Sequence, residues 1–133
     1  MTLQEMIRTH PQSSGADRDT LMRAVEEIVS CAATCTSCAD ACLGEDDVQQ
    51  LVRCIRLNLD CADICEATGR VLTRQTAFEP QPARQLLEVC EQACRGCAEE
   101  CERHAAHHEH CRVCAEACRR CERACADLLS TIG

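Results

Sequence analysis

Aromatic side chains are almost missing from this chain of 133 residues: Phe78 is the one aromatic residue, and there is no tryptophan or tyrosine. Without aromatic rings, the protein has no platforms on which nucleic-acid bases could stack. Basic side chains are also few, with 14 lysines and arginines against 22 acidic residues and a net charge of −8. We therefore expect neither nucleic acid nor an anionic membrane surface as a partner.

Long hydrophobic runs are absent too. No stretch approaches the roughly 18 consecutive apolar residues that a membrane-spanning helix needs. Residues 1–20 have neither the basic segment nor the apolar segment of a secretory signal peptide. We therefore expect a single domain, residues 1–133, in the cytoplasm, where thiols stay reduced.

Patterns typical of enzymes are missing as well. The sequence has no Ser-His-Asp arrangement, no phosphate-binding loop and no carboxylate pair in a defined context. We therefore do not predict an enzyme.

What the chain has in abundance is cysteine, with 16 residues. Nearly all are spaced by three or four, which places them on one face of an α-helix. Four segments therefore carry a stripe of thiols, and we expect these stripes to face inward. The stripes consist of Cys31, Cys35, Cys38 and Cys42; Cys54, Cys61 and Cys65; Cys90, Cys94, Cys97 and Cys101; and Cys111, Cys114, Cys118, Cys121 and Cys125.

The predicted fold is all-α. Long helices are expected at about residues 17–43, 45–72, 83–104 and 109–129, and the short connections favour an up-down-up-down four-helix bundle, residues 16–133, with a Cys-lined core. Residues 1–15 should form a short extra N-terminal helix and a linker. Gly44 is expected to end the first long helix in the left-handed conformation, and the acids at 45–47 to begin the second.

The two ends of this bundle should differ. The thiol-lined core should open toward the end that carries the histidines. Glu99, Glu100 and Arg103 should lie on the surface. The opposite end should be closed by aliphatic residues, namely Leu21, Val25, Ile28, Leu72, Leu86, Leu128 and Leu129.

Thiolates are soft ligands that suit Cu(I), Zn(II) and iron–sulfur clusters. Structural zinc prefers a closed group of four ligands, often on loops, and the usual iron–sulfur spacings do not occur in this sequence. Cu(I) accepts two or three thiolates, and one Cu(I) for each buried thiolate leaves the core neutral. Seven Cys-x-x-x-Cys pairs favour many Cu(I) ions.

Three other side chains are candidate accessory ligands. Asn58 lies in the thiol stripe between Cys54 and Cys61, where it either faces a metal or only hydrogen-bonds a neighbour. His104 and His108 continue the stripe of the third helix, where they either pass ions into the core or form a solvated turn. His107 and His110 are weaker candidates, and Met22 is expected to pack in the core.

The repeated helix-borne Cys-x-x-x-Cys pairs and the histidine cluster resemble the bacterial copper storage proteins, in particular their cytosolic branch. The resemblance covers about residues 17–130. It implies a homo-oligomer, often a tetramer, in which the sixteen cysteines bind many Cu(I) ions, with Asn58, His104 and His108 as accessory ligands. The copper chaperone or acceptor protein is unknown. A zinc or cadmium thiolate buffer and a thiol redox protein remain alternatives.

Overall fold

The computed structural model describes residues 2–132, which form five α-helices and one short 3₁₀ turn. This confirms the predicted all-α class. The helices are α1 (Thr2–Arg8), α2 (Arg18–Leu43), α3 (Val52–Thr73), α4 (Pro80–His104) and α5 (Glu109–Leu129), and the 3₁₀ turn (Val48–Leu51) precedes α3.

Helices α2 to α5 form the expected up-down-up-down bundle. Helix α2 packs against α3 and α5, and α4 packs against the same two helices. The short helix α1 lies on α2 and buries Ile7. In the part of the chain that the structure describes, no helix combines the length and hydrophobicity needed to cross a bilayer.

Local sequence signals explain where two of the long helices begin. Asp17 precedes α2, and its carboxylate accepts a hydrogen bond from the backbone N–H of Thr20 at 3.0 Å. Hydrogen bonds from the Thr20 hydroxyl and N–H keep the pKa of Asp17 below its usual value, as at many helix N-termini. Helix α4 begins at Pro80, three residues earlier than predicted, because proline suits the first helical turn.

The connection between α2 and α3 differs from the prediction. Gly44 does not adopt the left-handed conformation; its φ is −88°, and its N–H bonds to the carbonyls of Ala41 and Cys42. Such bonds tighten the last helical turn without a positive φ. The acids at 45–47 precede a helical segment, as predicted, but this segment begins as the 3₁₀ turn after Asp47 rather than as an α-helix. Residues 45–47 themselves form a turn, and helix α3 starts only at Val52.

The end of the bundle that lies away from the histidines is aliphatic, as expected, with two differences. Leu129 is only partly buried against the core. Leu87, not Leu86, is buried there, because it shares a helix face with Ala83 and Cys94. Leu86 is only half-buried. We call this region the aliphatic end and define it by Leu21, Val25, Ile28, Leu72, Leu87 and Leu128, all of which are at most 3% exposed.

The linker before α2 crosses this end. The side-chain oxygen of Gln75 accepts a hydrogen bond from the N–H of Ser14 at 3.1 Å, and its amide nitrogen donates to the carbonyl of Leu72 at 2.6 Å. Gln75 is almost fully buried. It therefore ties the linker to the end of α3 and helps to close the aliphatic end.

Candidate metal centre

All sixteen cysteines are free thiols, and all are buried at the centre of the bundle. Even the most accessible of them, Cys38, is only 2% exposed. The stripes predicted from the sequence therefore do face inward on all four long helices. We call this core of sixteen cysteines the thiol tube.

Sulfur atoms from different helices meet across the tube. One group takes a single cysteine from each of the four long helices, and its four Sγ atoms lie within 4.8 Å of one another: Cys31, Cys65, Cys94 and Cys121. Contacts between helices are as short as 3.5 Å, between the Sγ atoms of Cys35 and Cys118. These separations far exceed the roughly 2.05 Å of a disulfide bond, and they leave room for an ion between sulfurs.

Neighbouring groups of thiols share members. Cys35 and Cys118 belong to one group with Cys31 and Cys61, and to a second group with Cys97 and Cys114. An ion in one group would therefore use sulfurs that the next group also needs. The tube is a continuous set of overlapping ligand groups rather than a series of separate sites.

Asn58 is a fully buried polar side chain inside the tube. Its side-chain oxygen accepts hydrogen bonds from the thiols of Cys114 and Cys97 at 3.0 and 3.2 Å. Its amide nitrogen donates to the carbonyl of Cys54 at 2.9 Å. Asn58 thus occupies the place on α3 where a further cysteine would continue the stripe. Its role as an accessory ligand stays a prediction.

Burial keeps thiols at the histidine-bearing end of the tube protonated. Burial raises the pKa of Cys42, and charges on the neighbouring Cys54 and Cys111 would raise it further. The pKa of Cys38 is also raised, mainly by hydrogen bonds with neighbouring thiols, of which the one with Cys101 has the largest effect. These thiols are therefore neutral near pH 7, and binding a metal there must release protons.

We call the histidine-bearing end the mouth. Here the side chain that the structure brings to the thiols is that of His110. Its Nδ1 lies 3.4 Å from the Sγ of Cys38 and 3.7 Å from that of Cys111, and Cys42 completes a group in which all ligand atoms lie within 4.8 Å of one another.

The sequence pattern favours His104 and His108 over His110 as ligands. The predicted start of the fourth helix at residue 109 agrees with α5 and places His110 in its first turn. The spacing along that helix does not show that the His110 ring reaches Cys38 on α2. The sequence signal that indicates His110 is its place beside Cys111, at the same end of the bundle as Cys38 and Cys42.

His108 is held differently. Its Nδ1 lies 3.0 Å from a carboxylate oxygen of Glu45, and its Nε2 lies 3.0 Å from one of Asp47. A neutral imidazole has one N–H, so His108 can donate to both carboxylates only as an imidazolium. The hydrogen bond to Asp47 accordingly raises the pKa of His108. Ligation by His108 would require it to release one carboxylate, and it stays a prediction.

His104 belongs to a second polar group at the mouth. Its Nε2 lies 3.0 Å from the Oε2 of Glu100, and the Oε1 of Glu100 pairs with the Nε of Arg53 at 3.4 Å. The expectation that Glu100 lies on the surface was wrong, since its side chain is only 7% exposed. Its pairing with His104 and Arg53 offsets the cost of burying its carboxylate. His104 remains a predicted ligand, and His107 is exposed.

Comparison with known proteins gives this geometry a context. The family model described as copper storage protein matches residues 17–130, which is most of the chain. The chain belongs to the copper storage protein family. This confirms the resemblance that the cysteine pattern indicated.

Solved structures of copper storage proteins have the same fold. A structure of Ccsp from Streptomyces lividans, loaded with 10 copper equivalents, is 49% identical, covers 97% of this chain and 98% of its own, and has a TM-score of 0.94. A cytosolic copper storage protein from the same organism, with five coppers, is 51% identical over 86% and 96% of the two chains, with a TM-score of 0.85.

A more distant structure shows the same architecture. The Cu(I)-bound copper storage protein BsCsp3 is 31% identical over 80% of this chain and 94% of its own, with a TM-score of 0.71. These three structures were determined with copper, and the two from Streptomyces lividans are about 50% identical to this chain.

Proposed function

We propose that this protein stores copper as Cu(I), held by thiolates of the thiol tube. The observation that carries the proposal is the overlap of the thiol groups, in which Cys35 and Cys118 each belong to two groups. A thiolate that bridges two Cu(I) ions serves both, so a continuous tube holds many ions. Storage rather than catalysis fits a core made of one type of ligand.

Charge favours Cu(I) over divalent ions. Uncompensated charge is costly inside a protein, and a zinc ion with four thiolates remains an anion in a core from which water is excluded. One Cu(I) for each thiolate gives a neutral core. The overlapping groups also fit poorly with the separate, closed sites of structural zinc, so a zinc or cadmium buffer is the weaker alternative.

We propose the following ligand set. The sixteen cysteines are the principal ligands, with Asn58, His104 and His108 as accessory ligands, as the sequence predicted. His110 joins them at the mouth because its Nδ1 already lies beside the Sγ of Cys38. Copper then enters and leaves through the mouth, since the opposite end is aliphatic.

We also propose that the whole chain acts as one domain in the cytoplasm and assembles into a homotetramer. The cytosolic relative from Streptomyces lividans supports the location. Exposed apolar side chains support assembly, among them Val52 at 64% and Val89 at 46% exposure. A copper chaperone or acceptor protein would deliver or collect the ions.

The test is an anaerobic titration of the reduced protein with Cu(I) against a competing chelator, followed by gel filtration. We expect on the order of ten or more Cu(I) ions per chain, because sixteen thiols share ions by bridging. A plateau at about four ions would contradict storage. A parallel Zn(II) titration that matched the Cu(I) capacity and affinity would favour the zinc buffer instead.

A further inference from the structure

Glu45 contacts two histidines at the mouth with a single carboxylate oxygen. Its Oε2 lies 2.8 Å from the Nε2 of His110 and 3.0 Å from the Nδ1 of His108. Glu45 belongs to the turn between α2 and α3, whereas both histidines are at the start of α5. It is about one-third exposed, and it joins the two sides of the mouth.

The contact with His110 decides which ring nitrogen faces the thiols. An ionised carboxylate only accepts hydrogen bonds, so the Nε2 of His110 must carry the proton that it donates to Glu45. In the neutral ring the other nitrogen, Nδ1, then has a free lone pair. That lone pair is on the nitrogen 3.4 Å from the Sγ of Cys38.

We propose that Glu45 is a positioning residue for copper entry, which holds the ring of His110 with its unprotonated Nδ1 facing Cys38 and Cys111. The proposal rests on the proposed function, in which His110 is a ligand at the mouth. Carboxylates commonly fix the tautomer and orientation of a metal-binding histidine in this way, and their removal costs about 10- to 100-fold in metal affinity or activity.

Other roles for Glu45 give different expectations. If it acted only through its negative charge, by attracting copper ions, any loss of that charge would slow uptake. If it only held the turn in place, its removal would change the fold rather than the rate. Positioning requires a hydrogen-bond acceptor at this place, whether or not it is charged.

Three variants separate these roles. Glu45→Ala removes the acceptor, whereas Glu45→Gln keeps an acceptor of the same shape and loses the charge. Asp46→Ala removes a charge from an exposed neighbour in the same turn. The readouts are the stopped-flow rate of transfer from a Cu(I)–bathocuproine disulfonate complex, the final copper count per chain, and the far-UV circular dichroism spectrum.

We expect Glu45→Ala to slow the transfer by about tenfold, with copper count and spectrum unchanged, and we expect Glu45→Gln and Asp46→Ala to stay within about twofold of the parent. Equal rates for Glu45→Ala and the parent would overturn the proposal. So would a loss in Glu45→Gln as large as that in Glu45→Ala, because charge alone would then explain the effect.

A copper-free readout tests the geometry directly. Nitrogen NMR of the reduced, metal-free protein should show His110 with the proton on Nε2 in the parent and in Glu45→Gln. A parent with the proton on Nδ1 would contradict the proposal.

His110→Ala separates this proposal from the function on which it rests. If His110→Ala is also slowed, with its copper count kept, His110 acts in entry and the Glu45 results decide the positioning role. If His110→Ala transfers copper at the parent rate, then His110 has no entry role and the positioning proposal falls, while a normal copper count still supports storage.

Discussion

The two ends of the bundle have different chemistry. At the aliphatic end, Leu21, Leu87 and Leu128 are packed without access to water, and Gln75 fastens the linker over them. At the mouth, His110 and Glu45 are about one-quarter to one-third exposed and lie beside buried thiols. One end therefore holds the helices together through burial, and the other is where we propose that copper ions enter and leave the tube. On this proposal, the residues that stabilise the bundle and those that exchange copper lie at opposite ends of its axis.

Raising the pH should have the largest effect on the free energy of unfolding, and it should act through the thiols of the mouth and tube. The pKa values of Cys38 and Cys42 are raised in the folded state above the ordinary value of about 8.5. The unfolded chain therefore loses these protons first, so the stabilisation they give is complete below about pH 8.5 and falls as pH rises further. Each such thiol lowers the free energy of unfolding by about 1.4 kcal/mol for each pH unit between its pKa in the unfolded chain and its higher pKa in the folded protein.

Urea denaturation between about pH 7 and pH 10 checks this expectation on the reduced apo protein. The copper-loaded protein is the control, because its thiolates carry no proton and its stability should change little. A metal-free protein that keeps its full stability up to pH 10 would show that the thiols do not behave as neutral groups of the core.

Leu87→Ala should weaken the aliphatic end. It leaves a cavity at a fully buried site, and we expect the free energy of unfolding to fall by about 2–5 kcal/mol. Leu86→Ala, at the adjacent half-buried position, is the matched control and should cost much less. Both variants should bind as many Cu(I) ions per chain as the parent at a temperature where they are folded. Similar losses for the two variants would mean that Leu87 does not hold this end.

Cys118→Ala should lower the copper capacity while changing the stability of the bundle only a little. The Sγ of Cys118 lies 3.5 Å from that of Cys35 and 3.8 Å from that of Cys31, so its loss removes a shared ligand. We expect one or two fewer Cu(I) ions per chain, with a stability loss of about 1 kcal/mol. Copper counting and thermal melting test both parts. An unchanged copper count would contradict the sharing of ligands.

Ala77→Gly should have the smallest effect, and it should be stabilising. Ala77 lies in the connection between α3 and α4 at the aliphatic end, with a φ of 52° in the left-handed region. Glycine adopts this conformation without steric cost, whereas alanine does not. We expect a gain of up to about 1 kcal/mol, seen as a rise in melting temperature without any change in copper uptake. A fall in melting temperature would contradict this interpretation.

Most of the bundle could be predicted because cysteine spacing reports a helix face directly. The same spacing could not choose between Leu86 and Leu87, which lie four and three residues before Cys90 and so both fit one face. The structure resolves the choice because it shows Leu87 fully buried and Leu86 only half-buried.

The mouth could be predicted less well because its contacts join distant parts of the chain. Glu45 and His110 are 65 residues apart, and nothing in either local sequence indicates their pairing. Glu100 looked like a surface residue because charged side chains usually are, and only its partners His104 and Arg53 explain its burial.

We expect the thiol tube to exist before copper arrives, because aliphatic packing and neutral thiols already hold the bundle. Far-UV circular dichroism of the reduced protein, recorded during anaerobic Cu(I) loading, tests this most directly. The metal-free protein should give a strongly helical spectrum that stays nearly constant as copper fills the tube. A coil spectrum that becomes helical only as Cu(I) binds would contradict it.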